Sequence, residues 1–173
     1  MFFDEFGFSF QEPRERTWGP QGQPPVLRRP ARYRREISTA VGLTLSGKIY
    51  KRHFFRAIRG AEVITTLEHL RRWIGGPFIL IWDRASIHKA GKVTEYLALH
   101  PEIQVEWLPP YAPDLNPEEY CHGNVKRHLK NAAPVDKWEI RRLLDREFAR
   151  IRRRPDLILG FFHLAGLRVK QLR

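Results

Sequence analysis

The chain has 173 residues, 42% hydrophobic and 12% aromatic, enough to bury a core in a single domain and too apolar for a disordered chain. Lys and Arg total 31 against 19 acids, and the net charge of +12 favours a polyanionic partner, either nucleic acid or an anionic membrane surface. The longest strongly apolar run, Phe78 to Trp82, is of strand length, the opening Phe2-Phe3-Asp4-Glu5 does not read as a signal peptide, and Cys121 alone excludes an internal disulfide. A cytoplasmic protein that touches nucleic acid and no membrane is the expectation.

The first predicted element is a strand, because Phe6, Phe8 and Phe10 alternate, with Gly7 interrupting. Residues 11–35 carry Pro13, Pro20, Pro24, Pro25 and Pro30 and read as a long loop. Ile37 to Leu45 and Lys48 to Phe55 read as a hairpin turning at Ser46-Gly47. Val63, Leu67 and Leu70 mark a helix over Glu62 to Trp73. Phe78 to Trp82 lacks alternation, as in a central strand buried on both faces. Ser86 is the expected cap of a helix whose Ala90, Val93 and Leu97 share a face. A short strand follows over Ile103 to Trp107, and Asn116-Pro117 opens a helix carrying Val125 and Leu129. A last helix runs from Asp136 to Arg152. Pro155 interrupts it, and an apolar tail packs back on the domain. Early antiparallel strands followed by strand–helix alternation predict an α/β class with a mixed sheet.

Three acids fall where such sheets gather ligands. Asp4 lies near the start of the first strand, Asp83 follows the buried strand, and Glu118-Glu119 open a helix. Converging carboxylates repel one another unless cations neutralise them, and oxygen donors of this kind suit magnesium or manganese rather than zinc. Each acid also has a plainer reading. Asp4 fits a charge on a frayed strand, Asp83 a turn residue, and Glu119 the third position of a capping box with Asn116. Composition and spacing leave these alternatives open.

The segment Trp107-Leu108-Pro109-Pro110-Tyr111-Ala112-Pro113-Asp114-Leu115-Asn116-Pro117-Glu118-Glu119 resembles the third catalytic motif of Tc/mariner-like transposases, in particular the bacterial insertion-sequence branch of the DDE superfamily. Ile81 to His88 is similar to the second motif, Phe3 to Phe8 to the first, and Arg16 to Gly22 to the family's loop. Thirty-five residues separate Asp83 from Glu119, which suits the family's usual gap. The resemblance covers nearly the whole chain in order, including the tail Gly160-Phe161-Phe162-His163. It implies an RNase H-like (retroviral-integrase-like) fold, a mixed five-stranded sheet flanked by helices. It also implies two Mg²⁺ ions, with Mn²⁺ as a substitute, on Asp4, Asp83 and Glu119, with Glu118 as fallback for the third ligand. Strand cleavage at transposon ends and strand transfer into target DNA follow from the same resemblance. Arg84 stands where many relatives carry Asn, Glu118 where the residue is often apolar, and Tyr120-Cys121 in a stretch where Trp is frequent.

Family members usually begin with helix-turn-helix modules. Residues 1–173 are therefore expected to be a single catalytic domain, with 136–173 a C-terminal helical extension and end recognition supplied by a separate polypeptide. A second reading frame, an excised fragment and a decayed remnant all fit that pattern. Paired cleavage points to a homodimer on DNA and to a nucleoid-associated location. Phosphate contacts are expected from Arg84, His88, Lys126, Arg127 and Lys130, and from Arg34 and Arg35 in the loop beside Arg28, Arg29 and Arg32, with His88 reading equally as a structural hydrogen bond that holds Asp83 in place. Arg150, Arg152, Arg153 and Arg154 read equally as a solvated face. Trp18 is expected in the core, and His122 and His128 on a helix surface. Two other functions stay open: a catalytically silent DNA-binding or dimerising remnant, and a stand-alone RNase H-like nuclease. Neither a Gly-rich phosphate loop nor a Gly-x-Ser-x-Gly elbow gives another enzyme class a motif.

Overall fold

The computed structural model describes residues 1–9, 18–23, 26 and 37–172. Most of the predicted long loop, Arg16-Thr17 and Arg28 to Arg35 included, lies outside the described residues. The elements in chain order are β1 (Phe2–Phe8), β2 (Ile37–Leu43), β3 (Ile49–Phe54), α1 (Gly60–Ile74), β4 (Phe78–Trp82), α2 (Gly91–Ala98), β5 (Ile103–Trp107), a 3₁₀ turn at Pro113–Leu115, α3 (Pro117–Leu129), α4 (Lys137–Arg152) and α5 (Pro155–Leu164). The five strands form one sheet in the order β3-β2-β1-β4-β5. β2 pairs antiparallel with β1 and β3, whereas β4 runs parallel to β1 and β5. The expected mixed α/β sheet is present.

Local chemistry explains the joints. The hairpin turns where Thr44 N–H donates to Lys48 O, and Gly47 takes φ +74°, a left-handed conformation that L side chains adopt at a penalty. Glu62 closes the start of α1 by accepting from Arg59 N–H at 3.0 Å, and Gly75 ends it at φ +70°. α2 starts later than Ser86, which lies in a turn: Ala90 is the cap position and no side chain caps it. The backbone around Ser86 is committed instead to placing His88.

Alternation on β1 sends Phe2, Phe6 and Phe8 to one face and Phe3 to the other. The first face packs against α3, α4 and α5, and the second against α1 and α2. β4 departs from the expectation of burial on both faces. Leu80 and Trp82 are buried beneath α1 and α2, but Ile79 on the opposite face is 48% exposed. The three-helix layer covers β1, β2 and β3 and leaves the start of β4 open. β2, sealed along its whole length, is the strand with both faces covered. Trp18 also departs from expectation. It is 99% exposed, so it anchors nothing in the core.

The apolar tail packs back as expected and does so as a helix, Pro155 taking the first-turn position that its missing N–H suits. Phe162 of α5 is fully buried and meets the Phe2 ring edge-on, with centroids 6.0 Å apart. We expect Phe162→Ala to lower the free energy of unfolding by about 3–5 kcal/mol in urea titration. A loss below about 1 kcal/mol would mean that the tail lies outside the cooperative core.

Candidate metal-dependent active site

Strand register brings the first two acids together. Phe2 on β1 is level with Ile81 on β4 in a parallel pair, so Asp4 and Asp83, each two residues further on, emerge side by side at the same sheet edge. Alternation then separates the neighbouring acids of β1. Asp4 points towards α3, and Glu5 points to the other face, where it meets His88. Asp83 comes directly after β4 and is half exposed.

Glu119 arrives on the first turn of α3. Asn116 caps this helix, its side-chain oxygen accepting from Glu118 N–H at 3.2 Å. The Asn116 amide also donates to Asp4 Oδ2 at 3.2 Å, so one side chain starts the helix and ties it to the first acid. The capping-box reading of Glu119 does not hold, because Asn116 N–H is taken by Pro113 O at 2.9 Å. Glu119 is exposed and lines a cleft of about 500 Å³ with Asp4, Asp83 and Asn116. Arg84 and Lys89 form part of the wall, and residues 108–113 form the rim. Tyr111 on that rim is fully exposed with φ +55°.

The electrostatics of the two aspartates diverge. Burial, then the carboxylates of Glu119 and Glu5, push Asp4 up to about 8. A hydrogen bond from His88 Nδ1 to Asp83 Oδ1, at 2.8 Å, and one from Ala85 N–H hold Asp83 below the ordinary aspartate value. His88 is buried and stacked on Trp82 at 4.2 Å, and its Nε2 lies 3.1 Å from both Glu5 oxygens. Those two carboxylates outweigh burial and raise His88 to about 10. The imidazolium is a fixed clamp between Asp83 and Glu5. His88 is thus no phosphate contact, since both its nitrogens are engaged away from solvent. The fit of this site to a divalent ion rests on its donor set: hard carboxylate oxygens of Asp4, Asp83 and Glu119 lining one cleft, with Asp4 held back from ionising first by burial and then by its acidic neighbours.

Glu118, the fallback ligand, is fully buried and absent from the cleft wall. Burial raises its pKa well above the glutamate value. Arg84 lines the cleft and donates to Leu108 O at 3.3 Å. Lys126 lies over the Phe6 ring at 5.7 Å, and Arg127 lines a groove of about 270 Å³ that shares Glu119 with the cleft. Lys130 sits at the C-terminal cap of α3. Arg34 and Arg35 lie outside the described residues. Of the last basic cluster, Arg150 bonds Glu147 and Asn124, Arg152 bonds Ile49 O, and Arg154 bonds Asp156. Sequence reasoning missed Lys89, Glu5 and His122. His128 is exposed as expected, but His122 is buried beside Asp4 because its side of α3 packs on β1. Its spacing of three from Glu119 was the available signal.

A family model described as DDE superfamily endonuclease matches residues 1–140. The chain belongs to that family. No curated protein matches the sequence. Among solved structures, the Mos1 mariner paired end complex with Mn is 22% identical at a TM-score of 0.70, over 95% of this chain and 53% of that one. The corresponding complex with Mg is 23% identical at 0.64, over 95% and 55%. The catalytic domain of Mos1 mariner transposase is 19% identical at 0.63, over 96% and 81%. The chain therefore spans about half the length of the Mos1 chains in the complexes. These likenesses show the fold, which is RNase H-like. No helix among the described residues is long and apolar enough to cross a membrane.

His88→Phe keeps a ring against Trp82 and removes both nitrogens, leaving the largely covered Glu5 carboxylate without its cation. We expect a loss of about 3 kcal/mol in unfolding free energy by urea titration. An unchanged value would show that the clamp does not hold the two acids.

Proposed function

We propose that this chain is the catalytic portion of a DNA transposase, cutting a strand at a transposon end and joining the freed 3′-hydroxyl to target DNA. The observation that carries this reading is the placing of Asp4, Asp83 and Glu119, from two parallel strands and a helix start, around one open cleft. Membership of an endonuclease family, the charge of +12, and relatives of this fold in complexes with Mn, with Mg and with a transposon end all support it.

On this reading Asp4, Asp83 and Glu119 hold two divalent ions. Such ions, when bound, supply Lewis acidity to the attacking and leaving oxygens of a displacement at phosphorus. The chain's own residues do the positioning. Asn116 orients Asp4 from the helix start, and His88 fixes Asp83 through Nδ1. Arg84 and Lys89 stand on the cleft wall where a phosphate backbone would pass, contacts that orient DNA without reading its sequence. Arg127, on the adjoining groove, extends the same path. Glu119 is the third ligand in preference to Glu118, whose carboxyl is turned into the interior. A second copy of the chain and a separate helix-turn-helix polypeptide complete the reading, since paired ends need paired sites and an end needs recognition. Its place in the cell is with DNA, on a bacterial nucleoid.

Supercoiled plasmid incubated with Mn²⁺ should be nicked by the wild type, and Asp83→Asn should lose at least about a hundredfold of that rate, read on agarose gels. Wild type and variant equally inactive, with DNA binding intact, would leave a silent DNA-binding remnant as the function. Nicking without strand transfer of a supplied transposon end would leave a nuclease.

Saturating Mg²⁺ or Mn²⁺ should also raise the melting temperature. A ligand at a hundred times its Kd stabilises the folded state by about 2.7 kcal/mol, which is several degrees for a domain of this size. A melting temperature unmoved by millimolar metal would show that the acids do not form a site.

A further inference from the structure

Behind Asp4, one turn into α3, lies a polar group that the proposed reaction leaves unused. Glu118 is fully buried and His122 is 3% exposed. Neither Glu118 oxygen finds a hydrogen-bond partner of good geometry, the adjacent Cys121 thiol being only a weak donor. His122 Nε2 is likewise unpartnered, yet it faces Glu118 Oε2 at 3.4 Å across one helical turn. The other ring nitrogen, Nδ1, lies 3.9 Å from Asp4 Oδ2. One His122 nitrogen, one Asp4 oxygen and one Glu119 oxygen all fall within 4.8 Å of one another. Phe6 holds the ring in place, with centroids 4.4 Å apart.

A gap of 3.9 Å is too long for a hydrogen bond, but it lies within the span of two donors sharing one ion, roughly 3–4 Å for bonds of about 2.1 Å. A metal-bound imidazole characteristically gives its second N–H to a carboxylate, which fixes ring and tautomer. Glu118 occupies that place behind His122. Buried polar atoms without partners are rare, and here three of them lie on the line Glu118–His122 that leads to Asp4.

We propose that His122 is a nitrogen donor to a divalent ion shared with Asp4 and Glu119, that Glu118 orients it from behind, and that this nitrogen biases the site towards Mn²⁺ over Mg²⁺. The inference rests on the metal-site reading given above. Magnesium favours an all-oxygen shell, whereas imidazole suits transition-metal ions. A merely structural Glu118–His122 pair has no reason to alter the choice of ion.

Pulsed electron paramagnetic resonance on Mn²⁺-loaded full chain reads the contact directly. Nitrogen-14 modulation should appear in the wild type, change when histidine is labelled with nitrogen-15, and vanish in His122→Phe. Equilibrium titration should show Mn²⁺ affinity falling about tenfold in His122→Phe and in Glu118→Gln, with Mg²⁺ affinity moving less than about twofold. The labelled wild type needs no variant to fold. Mn²⁺ bound without nitrogen modulation, or modulation that survives His122→Phe, overturns the inference and leaves the carboxylate site standing. Failure of both ions to bind overturns the site reading, and the inference falls with it.

Discussion

Two parallel strands, the start of β1 level with the end of β4, carry the rest of the structure. Ile81 N–H donates to Met1 O and Phe2 stands level with Ile81, so whatever follows these residues on β1 and β4 reaches the sheet edge together. Here that is Asp4 and Asp83. The strands can hold two acids there because the residues behind them are apolar and packed: Phe2 against α5, and Phe3 and Trp82 against α1 and α2. A slip of one residue on β1 would exchange Asp4 for Glu5 at the cleft and drive Phe2, Phe6 and Phe8 into the face already filled by α1 and α2. The hydrophobic pattern that specifies the fold therefore also specifies the position of the acids.

Acids at one edge of a packed core repel one another, and the chain manages this unevenly. Asp83 has a buried imidazolium and a backbone N–H, and its charge is held. Asp4 has the Asn116 amide and Glu5 N–H, but much of its hydration is lost and the charges of Glu119, Glu5 and Asp83 all act against its ionisation. Its charge is therefore the one left uncompensated by the protein. This asymmetry supports the proposed binding site more than the count of acids does.

Much of this was legible in local chemistry. Asn116-Pro117 signals a helix start whatever the fold around it, and Phe78 to Trp82 followed by Asp83 signals a strand ending in an acid. Residues whose surroundings are assembled by distant elements were not legible. The hold of His88 on Asp83 was readable as one of two alternatives, but its second contact appears only when β1 brings Glu5 beside it, from eighty-three positions away. His122 lies next to the buried stripe of Cys121, Val125 and Leu129, and its polar side chain suggested solvent until α3 was laid on β1. Ile79 shows the opposite error. A continuous apolar run implies cover on both faces, but the extent of the helical layer is a tertiary matter that no run of five residues reports. Trp18 fails for a similar reason. A large aromatic in a loop is usually buried, and this one lies in open solvent.

The whole chain is strongly basic whereas its cleft gathers carboxylates, and that contrast orders events on the reading proposed above. A net charge of +12 draws a polyanion to the surface from any direction. The cleft adds little to that attraction, since carboxylates there offset Arg84 and Lys89. On the proposed reading, a phosphodiester gains a strongly favourable field at the acids only once cations are held among them. Cation and phosphate then share an electrostatic free energy, and each raises the affinity of the other by the same factor, as linkage requires. On that same reading, surface attraction without cleft occupancy holds DNA loosely and leaves it uncut, so the three acids proposed as metal ligands also make cleavage wait until metal and DNA are present together.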